Sequence, residues 1–108
     1  MTAMFVYMTA KDREEALHIG RSLVEARLAA CVNTLDGMTS LYRWNDEIQE
    51  DQETVLVAKT SEALVEALIE RVRSLHSYEC PCIVTWPIHS GNAAYLQWID
   101  EETQQSTP

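Results

Sequence analysis

The sequence is poor in the residues that several classes of binding site require. Three glycines are too few for a glycine-rich phosphate-binding loop, and no GxGxxG, Walker, HExxH or GxSxG pattern occurs. The only lysines are Lys11 and Lys59, and the formal net charge is −9. A nucleic acid or an anionic membrane surface would need clustered Lys and Arg, so we expect neither as a partner.

The chain also lacks long apolar runs and a dense set of cysteines. No run reaches the roughly 18 residues of a membrane span, and the N-terminus has no basic signal-peptide region. Three cysteines cannot all pair within one chain, so we expect free thiols and a cytoplasmic location. With 108 residues, 46% of them hydrophobic, the chain fits one domain. We assign it to residues 1–102 and predict a flexible C-terminal tail at 103–108.

The first half of the chain predicts a strand, a helix and a second strand. Residues 4–8 are apolar and are typical of a buried strand. Asp12 can cap a helix whose apolar residues recur at spacings of three and four, and Gly20 beside that face should permit close packing. Residues 29–35 are compatible with a strand, and Asp36-Gly37 marks a kink or bulge in it.

A long hairpin follows. The strand resumes at residues 38–44, Asn45-Asp46 can form a two-residue turn, and the returning strand ends in an apolar run over residues 55–58. We expect hairpin strands of about 16 and 14 residues, against a usual length of about 5–6. Such strands must extend beyond the helices, and the overhanging tip should pair with another subunit.

The second half predicts a helix, a strand and a short terminal helix. Ser61 is the expected cap of the second helix, and its apolar stripe ends at Leu75. Residues 82–88 form the last strand, and Asn92 is a plausible cap of the terminal helix. The resulting order, β-α-β-β-α-β with an added helix, predicts an α+β fold of the split β-α-β, ferredoxin-like type.

The connection between the second helix and the last strand has the sequence HSYECPC, residues 76–82. His76, Cys80 and Cys82 are all of types that bind soft or borderline metal ions. A histidine at a helix C-terminus also suits the negative end of the dipole, and Pro81 prevents the helix from continuing. Cys80 and Cys82 would share one side of an extended segment, but their spacing is not that of a structural zinc site. An open or intersubunit metal site and a plain turn are therefore the two alternatives.

No other constellation indicates catalysis. A catalytic thiolate needs an adjacent imidazole. Cys31 is typical of a small buried residue in a central strand, His18 of an exposed helical residue, and His89 of a turn. We expect no enzyme activity.

Five segments follow one another along the chain: EARLAACVN, SLYRWNDEIQED, LVAKT, LIERVRSLHSYECPCIVTWPI and GNAAYLQWI. Together they resemble the CutA family, the divalent-cation-tolerance proteins, over residues 6–99. The resemblance implies a ferredoxin-like homotrimer similar to PII signalling proteins. It also implies a link to tolerance of copper and other divalent cations, with no established enzyme activity.

The resemblance further implies metal ligands at a cysteine position, occupied here by Met8, and at two histidine positions, occupied by Leu75 and His76. We therefore expect weak binding of copper or another divalent cation at His76, with the Met8 thioether as a ligand for soft ions such as Cu(I). Cys80 and Cys82, which are not usual in the family, are further candidate ligands.

A polar cleft between subunits is also implied, matched here by Tyr42, Trp44, Lys59, Tyr78 and Trp98. The alternative function rests on this cleft: a PII-like sensor or scaffold that binds a small anion or a protein partner. Lys59 would then meet an anion or a partner carboxylate, or else it is an ordinary strand-end lysine whose charged end reaches solvent.

Overall fold

The computed structural model of the chain describes residues 1–105. Within this range the strands form an antiparallel sheet in the order β2-β3-β1-β4, the order expected for a ferredoxin-like α+β fold with a long hairpin and a C-terminal helix. The fold prediction is thereby confirmed. The elements are β1 (Ala3–Ala10), α1 (Arg13–Glu25), β2 (Cys31–Trp44), β3 (Glu47–Ser61), a 3₁₀ turn (Glu62–Leu64), α2 (Val65–Leu75), β4 (Ile83–Pro87) and α3 (Ala93–Glu102).

The main core lies between one face of the sheet and helices α1 and α2. Alternate residues of β1 and β3 point into it, as the period of two along a strand requires. Gly20 of α1 faces β2, where an added Cβ would lie only 2.7 Å from Val32 Cγ2, so the predicted close packing is confirmed. The central members of the core are Val6, Met8, Ile19, Leu23, Leu56, Ala58, Leu68 and Val72.

The hairpin overhangs the sheet as predicted. Strand β1 pairs with β3 only as far as Ala10 opposite Thr54, and beyond that point β2 and β3 pair with each other up to Trp44 opposite Glu47. The register shifts between Leu35 and Met38, which confirms the predicted bulge. This geometry leaves a two-stranded ribbon without a third strand beside it.

Local signals at the helix starts and at the turn were mostly correct. Asp12 accepts from the Glu15 backbone N–H at 2.9 Å, and Asn92 accepts from Ala94 N–H at 3.1 Å, so both caps are confirmed. Asn45 and Asp46 adopt φ of 52° and 64°, the left-handed pair that a tight hairpin turn needs.

Two local predictions were wrong. Ser61 makes no capping hydrogen bond; it is the buried last residue of β3, opposite Ala3, and the 3₁₀ turn separates it from α2. Cys31 lies not in a central strand but in β2, at the edge of the sheet, and is only partly buried. Strand order depends on contacts distant in sequence, so the apolar run around Cys31 could not reveal it.

The C-terminal segment packs back on the domain. Thr103 is buried and its hydroxyl donates to the Ile99 carbonyl at 2.8 Å, while the Gln105 side chain donates to the Arg27 carbonyl at 2.8 Å. The remainder of the predicted tail, 106–108, lies outside the described residues. Among residues 1–105, no helix is long and apolar enough to cross a membrane.

Candidate binding cleft

A cleft of about 550 Å³ lies where the hairpin leaves the sheet. Its walls come from the end of β1, from the overhanging parts of β2 and β3, and from the segment between α2 and β4. We call it the hairpin cleft. It is lined by Tyr7, Thr9, Met38, Ser40, Leu41, Tyr42, Trp44, Glu53, Tyr78, Glu79, Cys80 and Cys82.

Glu53 organises the polar groups of this cleft. Ser40 Oγ donates to one of its carboxylate oxygens at 2.5 Å, and the Tyr78 hydroxyl donates to the other at 2.8 Å. Burial and the Glu53 carboxylate raise the pKa of Tyr78 well above its usual range, because both favour the protonated hydroxyl that donates to Glu53. Each Glu53 oxygen keeps capacity for a further partner.

Two more tyrosines are held by acceptors on the hairpin. The Tyr42 hydroxyl donates to Asp51, and this bond raises the pKa of Tyr42. The Tyr7 hydroxyl donates to the thioether sulfur of Met38 at 3.4 Å. The hydroxyls of Tyr7 and Tyr78 thus join the hairpin to β1 and to the segment after α2, whereas that of Tyr42 joins the two hairpin strands to each other.

The cleft is acidic and carries free thiols. Its described lining residues include Glu53 and Glu79 but no Lys, Arg or His, so its potential favours cations over anions. Cys80 and Cys82 are free and exposed. Burial, and next the charge of Glu53, raise the pKa of the Cys82 thiol, which is the opposite of the change that activates a nucleophilic cysteine.

His76, by contrast, is enclosed by the fold. Its side chain is only 1% exposed. Nε2 lies 2.7 Å from the Thr9 carbonyl oxygen, and Nδ1 lies 3.1 Å from the Tyr78 backbone nitrogen. Because a carbonyl only accepts and a backbone N–H only donates, the ring must carry its proton on Nε2 and accept at Nδ1. Both nitrogens are therefore already used within the fold.

Glu15, on α1, holds the same segment after α2 in place. Its two carboxylate oxygens accept from the backbone N–H groups of Lys11, at 3.1 Å, and Ser77, at 2.9 Å. Burial alone would raise the pKa of Glu15, but the hydrogen bonds with Ser77 and Lys11 outweigh it and lower the pKa overall. Glu15 thereby ties the start of α1 to the turn that follows α2.

A second polar group stands apart from the cleft. The Lys59 ammonium donates to the Asn33 side chain at 2.7 Å, in the part of β2 and β3 that lies beside β1. Trp98 stacks on Tyr95 with ring centroids 5.5 Å apart, and the Tyr95 hydroxyl lies 3.4 Å from Cys31 Sγ. This hydrogen bond, with some burial, raises the pKa of Tyr95 to about 12.

Comparison with known proteins decides the family. The family model described as CutA1 divalent ion tolerance protein matches residues 4–102. The divalent-cation tolerance protein CutA of Thermus thermophilus is 49% identical over 98 residues, which cover 91% of this chain and 95% of that protein.

The chain belongs to the CutA1 family.

Relatives from rice agree in sequence and in structure. The rice protein named CutA 1, chloroplastic, is 38% identical over 104 residues, which are 96% of this chain but only 59% of that protein. The crystal structure of CutA1 from Oryza sativa superimposes with a TM-score of 0.94 at 37% identity, covering 98% of this chain and 97% of that one.

The ligand positions that the family resemblance suggested do not form an accessible site here. Met8 is 1% exposed and packs in the main core. His76 uses both ring nitrogens in hydrogen bonds, and Leu75 packs partly buried against the core. A metal ion at His76 or Met8 would first have to displace these structural contacts.

The five predicted cleft residues separate into two groups. Tyr42, Trp44 and Tyr78 line the hairpin cleft, together with the candidate ligands Cys80 and Cys82. Lys59 and Trp98 do not, and within one chain they belong to the second polar group. A single cleft holding all five would have to form between subunits.

Sequence reasoning missed Glu53, the residue that organises the cleft. A signal for it was present: if the hairpin turns at Asn45-Asp46, Glu53 comes opposite the bulge, and it pairs with Met38 there. Its hydrogen bond with Tyr78 joins residues 25 positions apart, which no local pattern could show.

Proposed function

We propose that the chain acts as a CutA-type homotrimer in divalent-cation tolerance, binding copper or another divalent cation weakly in the hairpin cleft. One observation carries this proposal: the cleft presents the carboxylates of Glu53 and Glu79, with no basic side chain among its described lining residues. Carboxylate oxygens are effective ligands of divalent cations. The proposal moves the site from His76 to the cleft.

Weak binding follows from the number of ligands. Within residues 1–105, no group of three or more His, Cys, Asp and Glu side chains is placed to hold a metal ion together. An ion bound to Glu53 would need water or a neighbouring subunit to complete its coordination. A shell so largely made of water supports exchangeable binding rather than a permanent structural site.

Calorimetric titration with Mn²⁺ tests the proposal, because Mn²⁺ prefers oxygen ligands and is not reduced by thiols. Glu53→Gln should weaken divalent binding by about tenfold or more, equivalent to about 1.4 kcal/mol. Glu66→Gln is the matched control, because it removes the same charge from an exposed position on α2. Unchanged binding in Glu53→Gln, or an equal loss in both variants, would contradict a carboxylate site in the cleft.

The homotrimer is supported by apolar residues that one chain leaves uncovered. Leu41, Trp44 and Ile48 on the overhanging ribbon are 67%, 54% and 71% exposed, and Val84 and Trp86 of β4 are also exposed. A two-stranded ribbon of this kind is marginal alone, and exposed apolar surface of this extent marks an interface. Three-fold closure lets each ribbon lie on a neighbouring sheet.

Light scattering tests the assembly. We expect about three times the 12.3 kDa chain mass. Ile48→Asp should dissociate the trimer, whereas Val24→Asp, on the exposed surface of α1, should not. A monomeric wild type, or a trimer indifferent to Ile48→Asp, would contradict the assembly proposed here.

The alternative, a PII-like sensor of small anions, has less support. An anion in the hairpin cleft would meet Glu53 and Glu79, and Lys59 lies outside it. Lys59 could serve such a ligand only in a cleft shared by two subunits. A thermal-shift screen separates the two functions, because a ligand that binds the folded state raises the melting temperature. Stabilisation by anionic metabolites and not by cations would favour the sensor.

We assign the protein no catalytic step and place it in the cytoplasm. The raised pKa of Cys82 and the tyrosine partner of Cys31 support binding rather than nucleophilic catalysis. All three cysteines are free, which suits a reducing compartment.

A further inference from the structure

The hairpin cleft offers sulfur as well as oxygen. Cys80 and Cys82 are free, exposed and both part of its wall, with only Pro81 between them. The thioether of Met38, which accepts a hydrogen bond from the Tyr7 hydroxyl and has a second lone pair, lines the same cleft beside the bulge of the hairpin. Three sulfur-bearing side chains thus share one cavity, although they come from two separate parts of the chain.

Sulfur selects a different class of ion from the carboxylates. Thiolates and thioethers are soft ligands that prefer monovalent d¹⁰ ions such as Cu(I), whereas carboxylates suit harder divalent ions. Two thiols separated by one residue also form a small chelate. Once the first sulfur has bound, the second is already nearby, so its effective concentration at the ion is high.

We propose that Cys80 and Cys82 form a two-thiolate site for a soft monovalent ion such as Cu(I) or Ag(I), with the Met38 thioether as a third donor. Binding exchanges two thiol protons for the ion: each sulfur releases its proton to solvent and forms a bond to the metal, and no electron is transferred. The site uses donors other than those of the proposed divalent site, so either can exist without the other.

Cys31 does not belong to this site and provides an internal control. Its thiol contacts the Tyr95 hydroxyl at 3.4 Å, and it lies in the part of the sheet that carries Lys59, outside the hairpin cleft. The chain therefore contains two cysteines inside the proposed site and one outside it.

Competition with a chromophoric Cu(I) chelator, under anaerobic and reducing conditions, tests the proposal on the full chain. Cys80→Ser/Cys82→Ser should weaken Cu(I) binding by about 100-fold or more. Cys31→Ser should leave it unchanged, and Met38→Leu should weaken it by a few-fold. Native mass spectrometry with Ag(I), which is not redox-active under these conditions, should show one ion per chain in wild type and none in the double variant.

Single substitutions keep the test decisive if the double variant is unstable. Cys80→Ser and Cys82→Ser should each weaken Cu(I) binding by about tenfold or more. Wild-type Cu(I) affinity in all the Cys80 and Cys82 variants, or an equal loss in Cys31→Ser, would overturn the site.

The two proposals can fail separately. Glu53→Gln should spare Cu(I) binding, and the double serine variant should spare Mn²⁺ binding. If wild type does not bind Mn²⁺, or if Glu53→Gln binds it as well as wild type does, only the proposed divalent-cation function fails. Unaltered Cu(I) binding in the serine variants removes only the thiol site.

Discussion

The seven-residue stretch 76–82 contains side chains of metal-binding types at both ends, and the fold buries one end and exposes the other. The His76 side chain is 1% exposed and both its ring nitrogens are hydrogen-bonded. Cys80 and Cys82 are exposed, free and face a cleft. The two sets differ in accessibility: both nitrogens of His76 are used within the fold, whereas both thiols are open to the cleft.

The cause of the difference lies in the chain path. After α2 ends at Leu75, the chain passes under β1, where the Thr9 carbonyl and Glu15 anchor it. Beyond Tyr78 it enters the wall of the cleft, and Pro81 leads into β4. We call residues 76–77 the joint and residues 79–82, which contribute to the lining of the cleft, the wall.

Substitution in the joint should have the largest effect on stability. His76→Ala removes two hydrogen bonds and a buried ring, so we expect the free energy of unfolding to fall by about 3 kcal/mol or more. Urea unfolding measures this, with the exposed His18→Ala as control, expected within about 0.5 kcal/mol of wild type. A His76→Ala protein of wild-type stability that had lost its metal binding would reverse the roles assigned to joint and wall.

Glu15→Gln should have the next largest effect, about 1–3 kcal/mol at neutral pH. The folded protein lowers the pKa of Glu15 below its ordinary 4.5, so its stabilisation is complete above that value and is lost as pH falls through the lower folded value. Urea unfolding at pH 7 and at pH 3 measures the gap between wild type and variant. The gap should narrow in acid, and a gap that widened would contradict this linkage.

Tyr78→Phe affects the boundary between joint and wall. The change removes the hydroxyl that donates to Glu53 at 2.8 Å while keeping the ring, which packs against His76 with centroids 4.7 Å apart. We expect a loss of about 1 kcal/mol in urea unfolding. A loss as large as that of His76→Ala would show that the joint extends into the cleft.

Substitution in the wall should have the smallest effect on stability. Because both thiols are exposed, Cys80→Ser/Cys82→Ser should unfold in urea within about 0.5 kcal/mol of wild type. A loss of several kcal/mol would mean that the cysteines are structural.

The sequence was informative where a feature depends on neighbouring residues. The caps Asp12 and Asn92, the bulge at Asp36-Gly37 and the turn at Asn45-Asp46 all follow from local backbone preferences. The overhang was predictable because the hairpin strands are longer than the helices that cover the sheet.

The sequence was uninformative where a contact joins residues that are distant along the chain. His76 meets a carbonyl 67 positions away, and Cys31 lies at the sheet edge because β3, not β2, pairs with β1. Neither burial nor hydrogen-bond satisfaction can be seen in the letters HSYECPC. The sequence therefore identified the stretch but not which of its residues are accessible.

The most direct test of the division into joint and wall is a crystal of the reduced protein soaked with Ag(I), with anomalous scattering used to locate the ion. The account predicts a peak in the hairpin cleft between Cys80 and Cys82, with His76 still hydrogen-bonded to Thr9. A peak on the His76 ring or beside Met8, with the cleft empty, would contradict it.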